Sequence, residues 1–178
     1  MSNARPCGAI RTSLAPKRII RDNVFVPQLR TPPRLHGLDY SASRVFFVTF
    51  CVWDRLPTLA RPGAAAIVRD VIFRYRERQW YWLLCYCVMP DHVHLLIKLR
   101  SSCRSLSRVV ATLKHETVKS SRRSGGAIRW QFGYHDRILR RCDAEFEIAR
   151  YILRNPIRAG ISREGEVYPW AQIVDQFW

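Results

Sequence analysis

Acidic residues are scarce in this chain. Its 178 residues hold 14 Asp and Glu against 30 Lys and Arg, a formal net charge of +16. A field of that sign attracts polyanions, with nucleic acid the leading partner class and an anionic membrane surface the lesser one. Long apolar runs are missing too: the longest, "WYWLLCYCVMP", falls short of the ~20 residues that span a bilayer. The N-terminus has no apolar signal region, and the cysteines (Cys7, Cys51, Cys85, Cys87, Cys103, Cys142) follow no disulfide framework. A reducing cytosol with free thiols is therefore expected. Internal repeats and low-complexity tracts are absent. What remains is 48% apolar, enough for a globular body of one domain with an appendage.

The appendage is residues 1–40. Arg5, Arg11, Lys17, Arg18, Arg21, Arg30 and Arg34 alternate there with prolines at 6, 16, 27, 32 and 33, and no periodicity of 2 or 3.6 persists. A basic extended arm is expected, either lying along a phosphate backbone or without a role. Residues 41–178 form the domain. "RVFFVTFCVW" (44–53) is β-branched and aromatic on both faces, a central strand. Pro62 opens a helix with Val68, Val71, Ile72 and Tyr75 on one stripe. "WYWLLCYCVM" (80–89) and "HVHLLIKL" (92–99) are strands joined at "PD", and a second helix repeats Leu106, Val109, Val110 and Leu113. "YHDRIL" (134–139) suits a fourth strand. Asp143 then caps a third helix, which Pro156 ends. The order β-α-β-β-α-β plus a helix predicts an α+β, ferredoxin-like split βαβ fold: an antiparallel sheet with helices on one face and the other face open.

"CYCVMPDHVHLLI" (85–97) raises the chemical question. On a strand, i and i+2 share a face. Val93, Leu95, Ile97 and Leu99 are uniformly apolar and belong against the helices, so His92 and His94 should point to the open face, close enough to share an ion or a phosphate. A Cys2His2 zinc clamp through Cys85 and Cys87 competes with this. It is weakened by the short C-x-C spacing and by the large apolar neighbours, which suit buried free thiols. In the third helix, a buried stripe centred on Phe146 takes in Ala149, Ile152 and Leu153. Tyr151 and Asn155, four apart, lie together well round from it.

Three blocks in order, "VMPDHVHLLI" (88–97), "WQFGYHDRILR" (130–140) and "ARYILRNPIRAGI" (149–161), resemble the REP-associated tyrosine transposases, a branch of the histidine–hydrophobic–histidine single-tyrosine transposases. The resemblance runs from about Arg44 to Trp170. It implies a metal-dependent endonuclease and strand transferase on single-stranded DNA at palindromic hairpins. It further implies that His92, His94 and Asn155 bind a divalent metal, Mg2+ or Mn2+, and that Tyr151 is the nucleophile forming a 5′-phosphotyrosine. His135 would be auxiliary, beside Asp136. Glu147, one turn before Tyr151, would help position the hydroxyl or pair with Arg150.

Around this site the expected DNA contacts are Lys98, Arg100, Arg104, Arg108, Lys114, Arg122, Arg123, Arg129, Trp130, Arg137, Arg140 and Arg154. Lys119 shares the run between 98 and 123, whose one acid is Glu116. Trp130, Phe132 and Tyr134 interleave with arginines as a base-stacking surface or as core. A nucleoid-associated monomer is expected ahead of a homodimer. Two readings compete: a hairpin-binding protein of this fold with weak chemistry, and a small zinc-dependent regulator.

Overall fold

Alternating β-branched and aromatic residues build the centre of the molecule. The computed structural model describes residues 44–100, 105–139 and 142–176; the basic arm over 1–40, Arg104 and Arg140 lie outside the described residues. Five strands, β1 (Val45–Cys51), β2 (Tyr81–Val88), β3 (His92–Leu99), β4 (His135–Leu139) and β5 (Ala171–Ile173), form one sheet in the order β4-β1-β3-β2-β5. Every neighbouring pair is antiparallel. Because β1 and β2 each oppose β3, they run parallel to one another with β3 inserted between them. This is the expected split βαβ arrangement.

Two helices cover one face. Helix α1 (Pro62–Glu77) starts at a proline, whose missing N–H costs nothing in a first turn, and buries Ala65, Val68, Val71, Ile72 and Tyr75. Helix α2 (Leu106–Arg123) buries Leu106, Val109, Val110 and Leu113. Both pack on Phe46, Val48, Phe50, Leu83, Val93, Leu95 and Ile97, the larger of two apolar cores. Each such side chain contributes about 1.5–3 kcal/mol by leaving water.

The opposite face is not open. Helix α3 (Cys142–Arg158) lies on it, with Ala149 and Ile152 against Leu84, Cys85, Cys87 and Leu96. A register shift between Leu83 and Cys85 puts Leu84 and Cys85 on this same side. Phe146 is not the centre of the stripe: it is 50% exposed, whereas Ala149 and Ile152 are fully buried. The reason is close approach, since the Cys85 Sγ lies 3.9 Å from the Ala149 carbonyl oxygen and leaves no room there for a phenyl ring.

Nor does Pro156 end the helix, which continues to Arg158, and Asp143 falls inside its first turn. A proline at 156 leaves the Ile152 carbonyl without its usual donor. The Asn155 side-chain nitrogen fills in, donating to the Tyr151 oxygen at 2.8 Å and the Ile152 oxygen at 3.4 Å. The fifth strand was not expected. It extends the β2 edge, and beyond it Asp175 accepts from the Leu83 amide at 2.8 Å and pairs with Arg76 of α1.

Candidate metal and nucleophile site

Antiparallel register lines up a row of side chains on the α3 face. His135 of β4 lies opposite Thr49 of β1, Thr49 opposite His94 of β3, and His94 opposite Cys87 of β2. At the strand ends Cys51 lies opposite His92. The two expected histidines thus do project together, and their Nε2 atoms are 3.0 Å apart.

Each ring is held from behind. The Nδ1–H of His92 donates to Asp91 Oδ1 at 2.6 Å, leaving Nε2 bare as an acceptor. Asp91 is itself fixed by Arg55, whose Nε is 2.9 Å from Oδ2 and whose Nη1 donates to the Cys51 Sγ at 2.9 Å. His94 Nδ1 meets the Thr49 hydroxyl at 2.8 Å. A hydroxyl donates or accepts with equal ease. In this arrangement His94 donates from Nε2 to His92 while Thr49 donates to its Nδ1; were Nε2 to ligate a cation, His94 would carry its proton on Nδ1 and Thr49 would accept it.

Electrostatics favour ligation. Burial holds His94 well below its usual imidazole range, with His92 and Arg55 adding to the effect, so it is neutral at neutral pH. Burial alone would raise the Asp91 carboxyl. The hydrogen bond from His92 and the charge of Arg55 outweigh it and keep Asp91 ionised. At 3.0 Å the two Nε2 atoms are at hydrogen-bond distance, and both would be available to a shared ion once the proton between them is displaced.

Tyr151 flanks the buried stripe of α3. Its ring centroid is 6.2 Å from that of His94 and 6.0 Å from that of Phe47, with the Arg158 guanidinium 5.2 Å away over the ring. Asn155 follows one turn later, its side-chain nitrogen donating to the Tyr151 and Ile152 carbonyls. His135 is half-buried, its pKa lowered by burial and by Lys114 and Arg55 against the pull of Asp136. Glu147 is exposed on α3.

Cys85 and Cys87 do share the face of His94, but both are sealed under α3. Burial pushes the Cys85 thiol up to about 12 and Cys87 higher still, so neither offers a thiolate. Among the described residues, no group of three or more His, Cys, Asp and Glu side chains is arranged to hold a metal.

The expected DNA contacts divide. Arg108, Lys119, Arg122, Arg123, Arg129 and Arg137 are exposed. Arg100 stacks over Trp82 at 4.1 Å, Lys98 lies at the far end of β3, and Arg154 faces Glu164 at 3.3 Å. Two do not fit. Lys114 is half-buried and donates to the Gln131 and Gly133 carbonyls, its pKa lowered by burial to about 8. Trp130 is core: it meets Phe50 edge-on at 4.8 Å and its indole N–H donates to Thr117. Sequence reasoning missed Thr49, Arg55, Asp91 and Arg158. Asp91 and Thr49 were within reach of it, one being the neighbour of His92 and the other a polar residue inside an apolar strand.

Residues 45–154 match the family model described as "Transposase IS200 like". A REP-associated tyrosine transposase solved bound to a REP hairpin superposes with a TM-score of 0.64 at 18% identity, covering 75% of this chain and 79% of that one. A candidate transposase from Deinococcus radiodurans R1 gives a TM-score of 0.42 at 20% identity, over 65% of this chain and 92% of that one. No curated protein matches by sequence. Among the described residues no helix is long and apolar enough to cross a membrane.

Proposed function

The chain belongs to the IS200-like transposase family, and on that premise we propose that it is a metal-dependent endonuclease and strand transferase acting on single-stranded DNA at palindromic hairpins. The observation that carries the reading is the pair of Nε2 atoms at 3.0 Å, each ring oriented from behind, beside the ring of Tyr151. His92, His94 and the Asn155 amide oxygen are the ligand set. None of the three brings a negative charge, so a bound ion keeps its full pull on a phosphate. Two imidazoles lean towards Mn2+, with Mg2+ the alternative that an amide oxygen and phosphate oxygens would favour. Such an ion would orient the scissile phosphate and stabilise its charge.

The chain's own residues do the rest. A tyrosine hydroxyl, with a pKa near 10, is a weak nucleophile unless it is positioned. Packing against Phe47 and His94 fixes its direction, and Arg158 lies over its ring. The phenolic oxygen bonds to phosphorus as the bond from phosphorus to the 3′ oxygen breaks. The products are a 5′-phosphotyrosine and a 3′-hydroxyl, with the phenolic proton passed to solvent or to the leaving oxygen. Because the phosphodiester energy is retained in the phosphotyrosine, a second strand's 3′-hydroxyl can reverse the step and join DNA. The hairpin on the structurally similar transposase supports a hairpin substrate of the REP type.

The test is a denaturing gel with end-labelled single-stranded hairpin DNA, comparing wild type and Tyr151→Phe in Mn2+, Mg2+ and EDTA. A metal-dependent adduct that survives SDS and vanishes in the variant is expected. Hairpin binding with no adduct in any metal would leave a DNA-binding protein of this fold.

A further inference from the structure

The ring of Phe132 stands fully in solvent, yet the loop beneath it is pinned from several directions. The Gln131 amide donates to the Cys51 carbonyl at 2.9 Å, and Trp130 bridges to Val52. Lys114 reaches up from α2 and donates to the carbonyls on either side of Phe132, those of Gln131 and Gly133. Gly133 takes a φ of 75°, a conformation that costs any other residue, and the Tyr134 hydroxyl meets Ser107 at 2.9 Å. A half-buried ammonium is thus committed to holding an apolar ring in water, which does nothing for the core.

The neighbouring turn repeats the pattern. Trp53 is 45% exposed, its amide bonds to the Arg129 carbonyl at 2.8 Å, and the Arg129 guanidinium stacks 4.1 Å from its ring. Asp54 and Arg55 follow it, each at a φ of 54°, a strained setting for residues with side chains and one that collects at ligand-binding sites.

We infer that Phe132 and the Trp53–Arg129 pair form a stacking platform for unpaired bases flanking the cleavage position. The inference rests on the reading of the histidine pair given above and names how its substrate is held. Both features are tied to the end of β1. Cys51 pairs with His92 on one side and receives the Gln131 amide on the other, so the Phe132 loop lies about two strand spacings, roughly 10 Å, from the His92 backbone. Rings take any base by its π-face, and Arg129 adds the charge that a phosphate backbone seeks. Of the aromatics that interleave with arginine here, Trp130 and Tyr134 pack against the core and only Phe132 is offered to solvent.

The experiment uses the full chain in EDTA and fluorescein-labelled DNA hairpins carrying an unpaired 5′ tail, with abasic residues replacing the tail bases one at a time. Wild type should lose roughly tenfold in affinity at one or two tail positions. Phe132→Ala, which removes no buried contact, should weaken the intact tail by a similar factor and become insensitive at one of those positions; Phe132→Trp should restore both. Unchanged affinity in Phe132→Ala, or an equal loss on the same hairpin without its 5′ tail, would overturn the platform, as would failure of wild type to bind. Because binding is read without metal, the coupling between Phe132 and a base stands or falls separately from the covalent adduct. Coupling with no adduct would keep the platform and remove the cleavage reading.

Discussion

The two faces of the sheet are made from alternate residues of the same strands and obey different rules. Towards α1 and α2, β3 presents Val93, Leu95 and Ile97, and nearly every partner is large and apolar. Towards α3 it presents His92, His94, Leu96 and Lys98; Leu96 packs with large apolar neighbours such as Leu84, Ile152 and Phe47, but the residues opposite the two histidines are small or polar, Thr49, Cys51 and Cys87, and α3 comes closest at Ala149. One face is filled for stability. On the other, packing is thinned until a helix approaches closely enough to set a tyrosine beside a pair of imidazoles. The cost of burying polar groups there is offset by hydrogen bonds, one behind each ring.

If the faces divide stability from chemistry, substitutions should divide in the same way. Tyr151→Phe should abolish the covalent adduct, a loss on the order of 10³-fold or more, while thermal unfolding moves by no more than about 0.5 kcal/mol. Leu95→Ala, next to His94 in the chain but on the other face, should cost about 2–5 kcal/mol in chemical denaturation and still give adduct at temperatures where it is folded. An adduct lost while stability is intact would break the comparison.

Asp91→Asn sharpens it. Removing the carboxylate behind His92 should weaken Mn2+ binding about 10- to 100-fold, read by electron paramagnetic resonance of free Mn2+, with little change in melting temperature. A smaller effect concerns pH. The folded pKa of His94 lies below its unfolded value of about 6.5, so the unfolded chain takes up this proton first as pH falls. Stability contributed by neutral His94 is therefore present above about pH 6.5 and lost below it; melting curves in EDTA should fall on that side, and His94→Gln should flatten the slope. The smallest effect belongs to the cysteines. Cys87→Ala should cost about 1 kcal/mol and leave Mn2+ binding and adduct formation near normal; loss of both would return the thiols to the site.

Much of this division is legible in the sequence, since period-two alternation fixes which residues share a face. The strands around His92 and His94, both core helices and the order of elements follow from that rule. Rotation of α3 does not, because Phe146 dominates any apolar count, whereas the helix seats itself where Ala149 lets the Cys85 side chain reach its backbone. Pro156 misleads similarly: Asn155, the residue before it, supplies from within the helix the donor that the proline lacks, which backbone rules alone do not anticipate. Trp130 and Phe132 are both aromatics in one loop, and only the path of the backbone decides that the first is core and the second is presented. Arg55 reaches Asp91 through a left-handed turn that no periodicity encodes.

The fifth strand has a consequence of another kind. β2 is the most continuously apolar segment of the fold, and without Ala171–Ile173 its outer edge would expose a row of unsatisfied amides and carbonyls. Such an edge is a template on which a second copy can add, the first step towards fibrillar aggregation. Three residues, latched by Asp175 to Arg76 and by the Tyr168 hydroxyl to the Val88 carbonyl, occupy that template. The most apolar strand of the sheet is thereby kept inside it, and the edge is left to a strand of three residues, too short to template much.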